Sequence, residues 1–185
     1  MLTLESIWQA ENQQAQFRLL LEAMARPGSR YTFFEHPDES SVALAVLATL
    51  LDAEVSLADP QKRLTDKDWR MLQVRSAELE HADYILHTGM QPSTDLVPKP
   101  GTLASPEKSA TVILVVDELG QGDMALTLSG PGIKTQQQLI VSGLDAWWLS
   151  MRELWNSAFP LGVDFILVDE KQVVALPRTT KVEVV

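Results

Sequence analysis

The sequence predicts an α/β fold, a single domain over residues 1–185 with a mixed β-sheet flanked by helices. Three observations carry that expectation. Two short apolar runs stand near the end of the chain, Val163–Val168 and Val173–Leu176, with the polar tripeptide Asp169-Glu170-Lys171 between them. Runs rich in Val, Ile and Phe, bounded by turn residues, read as strands buried on both faces. Near the start, Phe17, Leu20, Leu21 and Met24 stand at i, i+3, i+4 and i+7, the stripe of an amphipathic helix. Helix and strand signals then mix along the chain, with hairpins towards the end, which is the order of a mixed sheet with helices on it.

Taken in order, the first helix is expected from about Asn12 to Ala25, stopped by Pro27-Gly28. Tyr31–Phe34 is a short strand candidate. Asp38 to Ser41 supplies N-cap candidates for Val42–Leu51, a segment whose only polar residue is Thr49 and which therefore reads as a buried helix. Glu54–Leu57 alternates polar and apolar and suits a strand with one wet face. Thr65 and Asp68 have capping-box spacing ahead of a helix from about Asp66 to Ala77. Ala82–His87 reads as a strand.

Between Gln91 and Pro106 the prolines Pro92, Pro98, Pro100 and Pro106 rule out a regular element, leaving a wrap, a functional loop or a connector. Ala110–Val116 and Asp123–Leu128 are expected as two strands reversing through Gly120 and Gly122. The next helix, Leu144–Trp155, carries a stripe of Leu144, Trp147, Trp148, Met151, Leu154 and Trp155. Such a stripe is either core or a subunit interface. The final pair of runs forms a hairpin. Its loop is expected to span three to five residues, because the Gly of the tightest turns is missing.

Composition narrows the chemistry. With 45% apolar and 22% charged residues this is the make-up of a globular protein. The absence of Cys removes disulfides, thiol nucleophiles and thiolate metal sites. The N-terminus does not read as a signal peptide, and no run approaches the ~20 apolar residues of a membrane span. A cytoplasmic location is the expectation. A net charge of −10 disfavours nucleic acid and anionic membranes as partners, since both need basic patches. An anionic ligand would need a local basic site, for which Arg18, Arg26, Arg30, Arg178 and Lys181 are available.

No self-sufficient catalytic constellation is present. His81 and His87 stand six apart and His36 is remote, so no zinc pair forms on a helix face. Gly130-Pro131-Gly132 lacks the third glycine of a dinucleotide loop, and no Gly-Lys-Ser/Thr occurs; the motif reads as a turn with positive φ at glycine. No Gly-x-Ser-x-Gly elbow is found, and Lys134, Lys171 and Lys181 sit in polar surroundings unsuited to a Schiff base. Two positions near the end stand out instead. Asp164 interrupts an apolar strand start, and Arg178 leaves the last core strand beside Thr179 and Thr180. Either Asp164 anchors a turn and Arg178 answers a surface carboxylate, or Arg178 serves a ligand or partner surface.

The segments FPLGVDFIL and ALPRTTKVEV at the C-terminus resemble the end of the PhnH family, a subunit of the bacterial carbon–phosphorus lyase system. Further matches follow in the same order: Phe17-Arg18-Leu19-Leu20 with Ala23-Met24 and Pro27-Gly28, the apolar strands around Thr111–Leu128, and Leu128-Ser129-Gly130-Pro131-Gly132-Ile133. The resemblance runs from about residue 15 to the end and is weakest over Asp59–Pro106. It implies a fold similar to that of pyridoxal-phosphate-dependent transferases, without the cofactor. It also implies a homodimer joining PhnG, PhnI and PhnJ subunits. That complex couples a phosphonate to ATP, forming ribose 1-phosphonate 5-triphosphate with release of adenine. No catalytic residue, metal or cofactor is expected on this chain. Arg178, Thr179 and Arg26 are its candidate substrate- or partner-binding residues. The competing expectation is a stand-alone transferase that binds pyridoxal phosphate or a phosphate ester.

Overall fold

A computed structural model describes residues 6–33, 41–91 and 95–185. Along them run α1 Ala10–Ala25, β1 Tyr31–Thr32, α2 Val42–Leu50, β2 Ser56–Ala58, α3 Asp66–Leu72, β3 Arg75–Ser76 and β4 Tyr84–Thr88. After them come β5 Thr111–Val115, β6 Glu118–Ser129, β7 Gln137–Ser142, α4 Ala146–Trp155, β8 Asp164–Val168, β9 Gln172–Leu176 and β10 Lys181–Val184.

Seven strands make the main sheet, in the order β1-β9-β8-β5-β4-β2-β3. From β3 to β8 neighbours are parallel, and β9 and β1 complete one edge antiparallel. The sheet is mixed, and the fold is α/β as expected. Side chains alternate across it with period two. Val112, Leu114, Phe165 and Leu167 face a layer built from α4 and a second, three-stranded sheet β10-β6-β7. Ile113, Ile166 and Val168 face α1 and α2. Cover on both faces is why these strands are continuous apolar runs.

The terminal hairpin forms as expected, with Val168 opposite Val173. Its loop is Asp169-Glu170-Lys171, and the Asp169 carboxylate accepts from the Lys171 and Gln172 amides at 2.8 and 2.6 Å, an Asx turn that replaces glycine. Thr65 and Asp68 form the capping box of α3. The α2 N-cap is Ser41, whose hydroxyl accepts from the Leu44 amide; the other expected candidates, 38–40, lie outside the described residues, as do His36, Phe34 and Pro92.

Several elements differ from expectation. α3 stops at Leu72 because Gln73 adopts a left-handed φ of 54°, freeing Arg75–Ser76 to pair with β2. β5 and β6 are not a hairpin. β5 lies in the main sheet and β6 crosses to the small one. There β6 pairs with β7, and the register breaks between Leu119 and Met124, around Gly120 and Gly122. Strand β7 was not expected. Only Leu139 and Val141 of it are buried, so the run is too polar to announce itself. The buried face of α1 is Gln16, Leu20 and Ala23, whereas Phe17 and Leu21 are 46% and 54% exposed. Polar anchors set that rotation: Gln13 donates to the Ala48 carbonyl of α2, and Thr49 donates to Gln16. On α4 the buried residues are Trp148, Leu149 and Arg152, and Leu154 points outward, 61% exposed.

Candidate binding groove at the C-terminal segment

Pro177–Thr180 carries the chain from the end of β9 in the main sheet to the start of β10 in the small one. The crossing is a tight turn, with the Thr180 amide donating to the Pro177 carbonyl at 2.9 Å. Arg178 is the pin of this turn. Its Nε and Nη2 donate to the two Asp164 oxygens at 3.3 and 2.6 Å, and its backbone amide donates to the same carboxylate at 2.7 Å. Nη1 donates to the Pro106 and Pro160 carbonyls, and Nη2 also to the Ser109 hydroxyl. All five guanidinium N–H groups are thereby engaged. The Arg178 and Asp164 side chains are only 14% and 16% exposed, so the pair is shielded from solvent.

Arg152, on α4, lies beneath the same turn and is 4% exposed. It donates to the carbonyls of Thr180 at 3.0 Å, Leu176 at 3.2 Å and Pro177 at 2.5 Å. Its guanidinium carbon stands 5.8 Å from the centre of the Phe165 ring. Among the described residues no carboxylate lies within ion-pair distance of it. Burial pulls its pKa down to about 10, with Asp164 acting in the opposite direction, so it remains a cation at neutral pH. Arg152 is the residue that sequence reasoning missed. Its only signal is position: it stands four residues after Trp148, on the side of the helix that packs inward.

Together these residues wall a groove of about 690 Å³, also lined by Asn156, Phe159, Thr179 and Lys181. Thr179 and Lys181 are exposed. The Gly130-Pro131-Gly132 turn borders it, with φ of 129° and 84° at the two glycines, and leads to a strand and not to a helix. Gly132 packs so closely on the Ala25 carbonyl that no β-carbon fits. Thus Arg178 and Thr179 share the groove, while Arg26 does not line it. Arg26 sits across the glycine turn at the end of α1, exposed and paired with Glu22 at 3.4 Å.

A larger crevice of about 900 Å³ opens at the carboxyl ends of β4, β5 and β8, where open α/β sheets commonly hold ligands. Asp117, Asp169 and Glu170 line it against Arg63, a balance that repels anions. The Asp169 carboxylate is already occupied by the Leu119, Lys171 and Gln172 amides. Nearby, His87 is buried with its ring 5.0 Å from that of Trp148, and burial lowers its pKa, which keeps it neutral. Among the described residues no group of three or more His, Asp or Glu is arranged to hold a metal ion, and no helix is long and apolar enough to cross a membrane.

Over residues 6–183 the chain matches a family model described as PhnH, bacterial phosphonate metabolism protein. It is similar to a Stutzerimonas stutzeri protein named putative C-P lyase subunit protein HtxG, with 44% identity over 176 residues, 95% of this chain and 88% of that one. It is also similar to the alpha-D-ribose 1-methylphosphonate 5-triphosphate synthase subunit PhnH of Rhizobium meliloti (strain 1021), with 28% identity over 181 residues, 92% of this chain and 90% of that one.

Proposed function

Since the chain belongs to the PhnH family of bacterial phosphonate metabolism proteins, we propose that it is a subunit of a carbon–phosphorus lyase complex. The observation that carries this reading is the 44% identity, over nearly the whole chain, to a protein named as a C-P lyase subunit. In this role the chain acts with PhnG-, PhnI- and PhnJ-type subunits when a phosphonate is coupled to ATP, giving the ribose 1-phosphonate 5-triphosphate and adenine. It works in the cytoplasm, as a homodimer within the complex.

On this reading the chain handles substrate or partner without performing chemistry alone. Its fold is that of a pyridoxal-phosphate-dependent transferase which does without the cofactor. Support comes from the lysines: Lys62, Lys67, Lys108, Lys134, Lys171 and Lys181 are exposed, and Lys99 is paired with Asp83, so none has the apolar setting that a Schiff base needs. The functional surface is the C-terminal turn. Thr179 is its contact residue, Arg178 holds the turn in place, and Arg26 belongs to the flanking surface beyond the glycine turn.

The test is to recover the tagged full chain from cells grown on a phosphonate as sole phosphorus source. Copurification of PhnG-, PhnI- and PhnJ-type subunits is expected. Turnover of a phosphate ester by the chain alone, or a visible lysine aldimine band, would overturn the reading in favour of a stand-alone transferase.

A further inference from the structure

Strand β10 is an open edge of the small sheet, paired on one side only, with β6. The Val185 amide donates to the Ala125 carbonyl at 2.9 Å, so Lys181, Glu183 and Val185 direct their backbone groups towards β6. By the alternation of an antiparallel ladder, Val182 and Val184 turn their N–H and C=O groups outwards, to the free edge. Such a row is a template for another strand. Side chains on β10 alternate as well. Val182 is half-buried and packs on the core layer of α4, whereas Val184, on the same side of the strand, is 58% exposed because the sheet ends beside it. The groove described above lies along this edge, between residues 178–183 and α4, and its wall residue Phe159 is 70% exposed. On the other side of the strand Lys181 and Glu183 are exposed, and among the described residues neither has an ion-pair partner.

The strand itself shows what fits this edge. An added antiparallel strand sets one residue opposite Glu183 and, two positions later, another opposite Lys181. Opposite charges directly across a pair stabilise it and like charges do not, so the added strand needs a base followed two residues on by an acid. Lys181-Val182-Glu183 has that pattern, and nowhere else in the chain does a Lys or Arg stand two residues before an Asp or Glu. With two copies about a two-fold axis at Val182, Lys181 of each lies opposite Glu183 of the other, and the two Val182 residues exchange their outward N–H···O bonds. Val184 of each then comes beside Thr180 of the other, on the side of its groove. A two-fold at Glu183 would instead set that carboxylate against itself.

We infer that β10 is where two copies of this chain meet, its free edge pairing antiparallel with β10 of the second copy in the register Val182 to Val182. The inference rests on the homodimer proposed above and assigns its contact face.

Sedimentation velocity of the full chain over a concentration series gives the dimer dissociation constant. Lys181→Glu, or Glu183→Lys, turns two opposite-charge pairs into two like-charge pairs, and each should weaken the dimer about tenfold or more. Glu183→Lys also makes the chain less negative, so a general charge effect would strengthen the dimer instead. The double variant, Lys181→Glu with Glu183→Lys, restores both pairs in reverse and should return the constant to within about threefold of wild type. Both side chains are exposed, and far-ultraviolet dichroism checks the fold of each variant. Should a swap variant not fold, Val184→Asp decides, since a charge set against the groove of the other copy should weaken the dimer too. Single swaps that stay within about twofold of wild type, or a double variant that restores nothing, overturn this face and leave the homodimer standing. A wild-type chain that stays monomeric at about 0.1 mM removes homodimer and face together, while membership of the complex is read separately from copurification.

Discussion

Arg178 and Arg152 are two guanidiniums on the same turn with opposite electrostatic situations. Arg178 has a bidentate carboxylate and a full set of donors satisfied, tying β8, the 106–109 segment and Pro160 to the C-terminal turn. Removing one partner of a shielded pair leaves the other charge uncompensated, which costs more than the pair contributes. Arg178→Ala is therefore expected to lower stability by about 3–5 kcal/mol, read from urea denaturation. Arg178→Lys should fall between it and the wild type, since a point charge cannot span both Asp164 oxygens and the two carbonyls. A loss under about 0.5 kcal/mol, the range of an ordinary surface substitution, would show that the network does not hold the turn.

At the scale of the element, helix α1 shows how a stripe can be read correctly as helix and wrongly as a face. Phe17, Leu20, Leu21 and Met24 have helical spacing, and the helix forms where it was expected. The apolar arc is wider than the contact, however, and the polar bonds of Gln13 and Gln16 to α2 choose which part of it turns inward. Leu20→Ala, at a position 3% exposed, should cost about 2–5 kcal/mol. Phe17→Ala and Leu21→Ala should change the stability of the isolated chain by about 0.5 kcal/mol or less. Thermal and urea unfolding of the three variants check the ordering. A Phe17 effect as large as that of Leu20 would mean that this face is covered in solution, as in the proposed homodimer.

At the scale of the whole molecule, the main sheet is shared by two core layers. Trp8 and Trp69 pack on the layer of α1 and α2, and Trp147, Trp148 and Trp155 belong to the layer of α4 and the small sheet. Strands β5 and β8 contribute alternate side chains to both, so neither layer can loosen without exposing the other side of the same strands. One cooperative transition is the expectation. Two variants, keeping only Trp69 or only Trp148 and with Phe at the other tryptophan positions, report the layers separately by fluorescence. Their transitions should coincide with the far-ultraviolet dichroism of the same variant. A fluorescence midpoint displaced from dichroism in either one would show that the layers unfold independently.

What the sequence determined by itself is local in origin. The β8–β9 hairpin, the capping box at Thr65, the glycine turn at 130–132 and the stop after Ala25 all follow from backbone preferences and short-range periodicity, which act whatever packs against them. Asp164 and Arg178 both stood out, one as a turn anchor and the other as the answer to a surface carboxylate or a functional contact, but their pairing did not, because a charge pattern does not say which opposite charge will be near. Family membership was legible too, since ordered segments spread over most of the chain carry it. The tertiary structure alone decided the inward face of α1, the transfer of β6 to a second sheet, the weakly apolar β7 and the burial of Arg152. Each depends on what stands opposite the element: strands 118–129 and 137–142 gain an apolar face only by stacking on α4 and the main sheet. Arg152 becomes a buried cation only because the chain returns over it at Pro177–Thr180 and offers three carbonyls, a contact between residues more than twenty positions apart. Such burial follows from the return of distant chain and leaves no mark in local spacing.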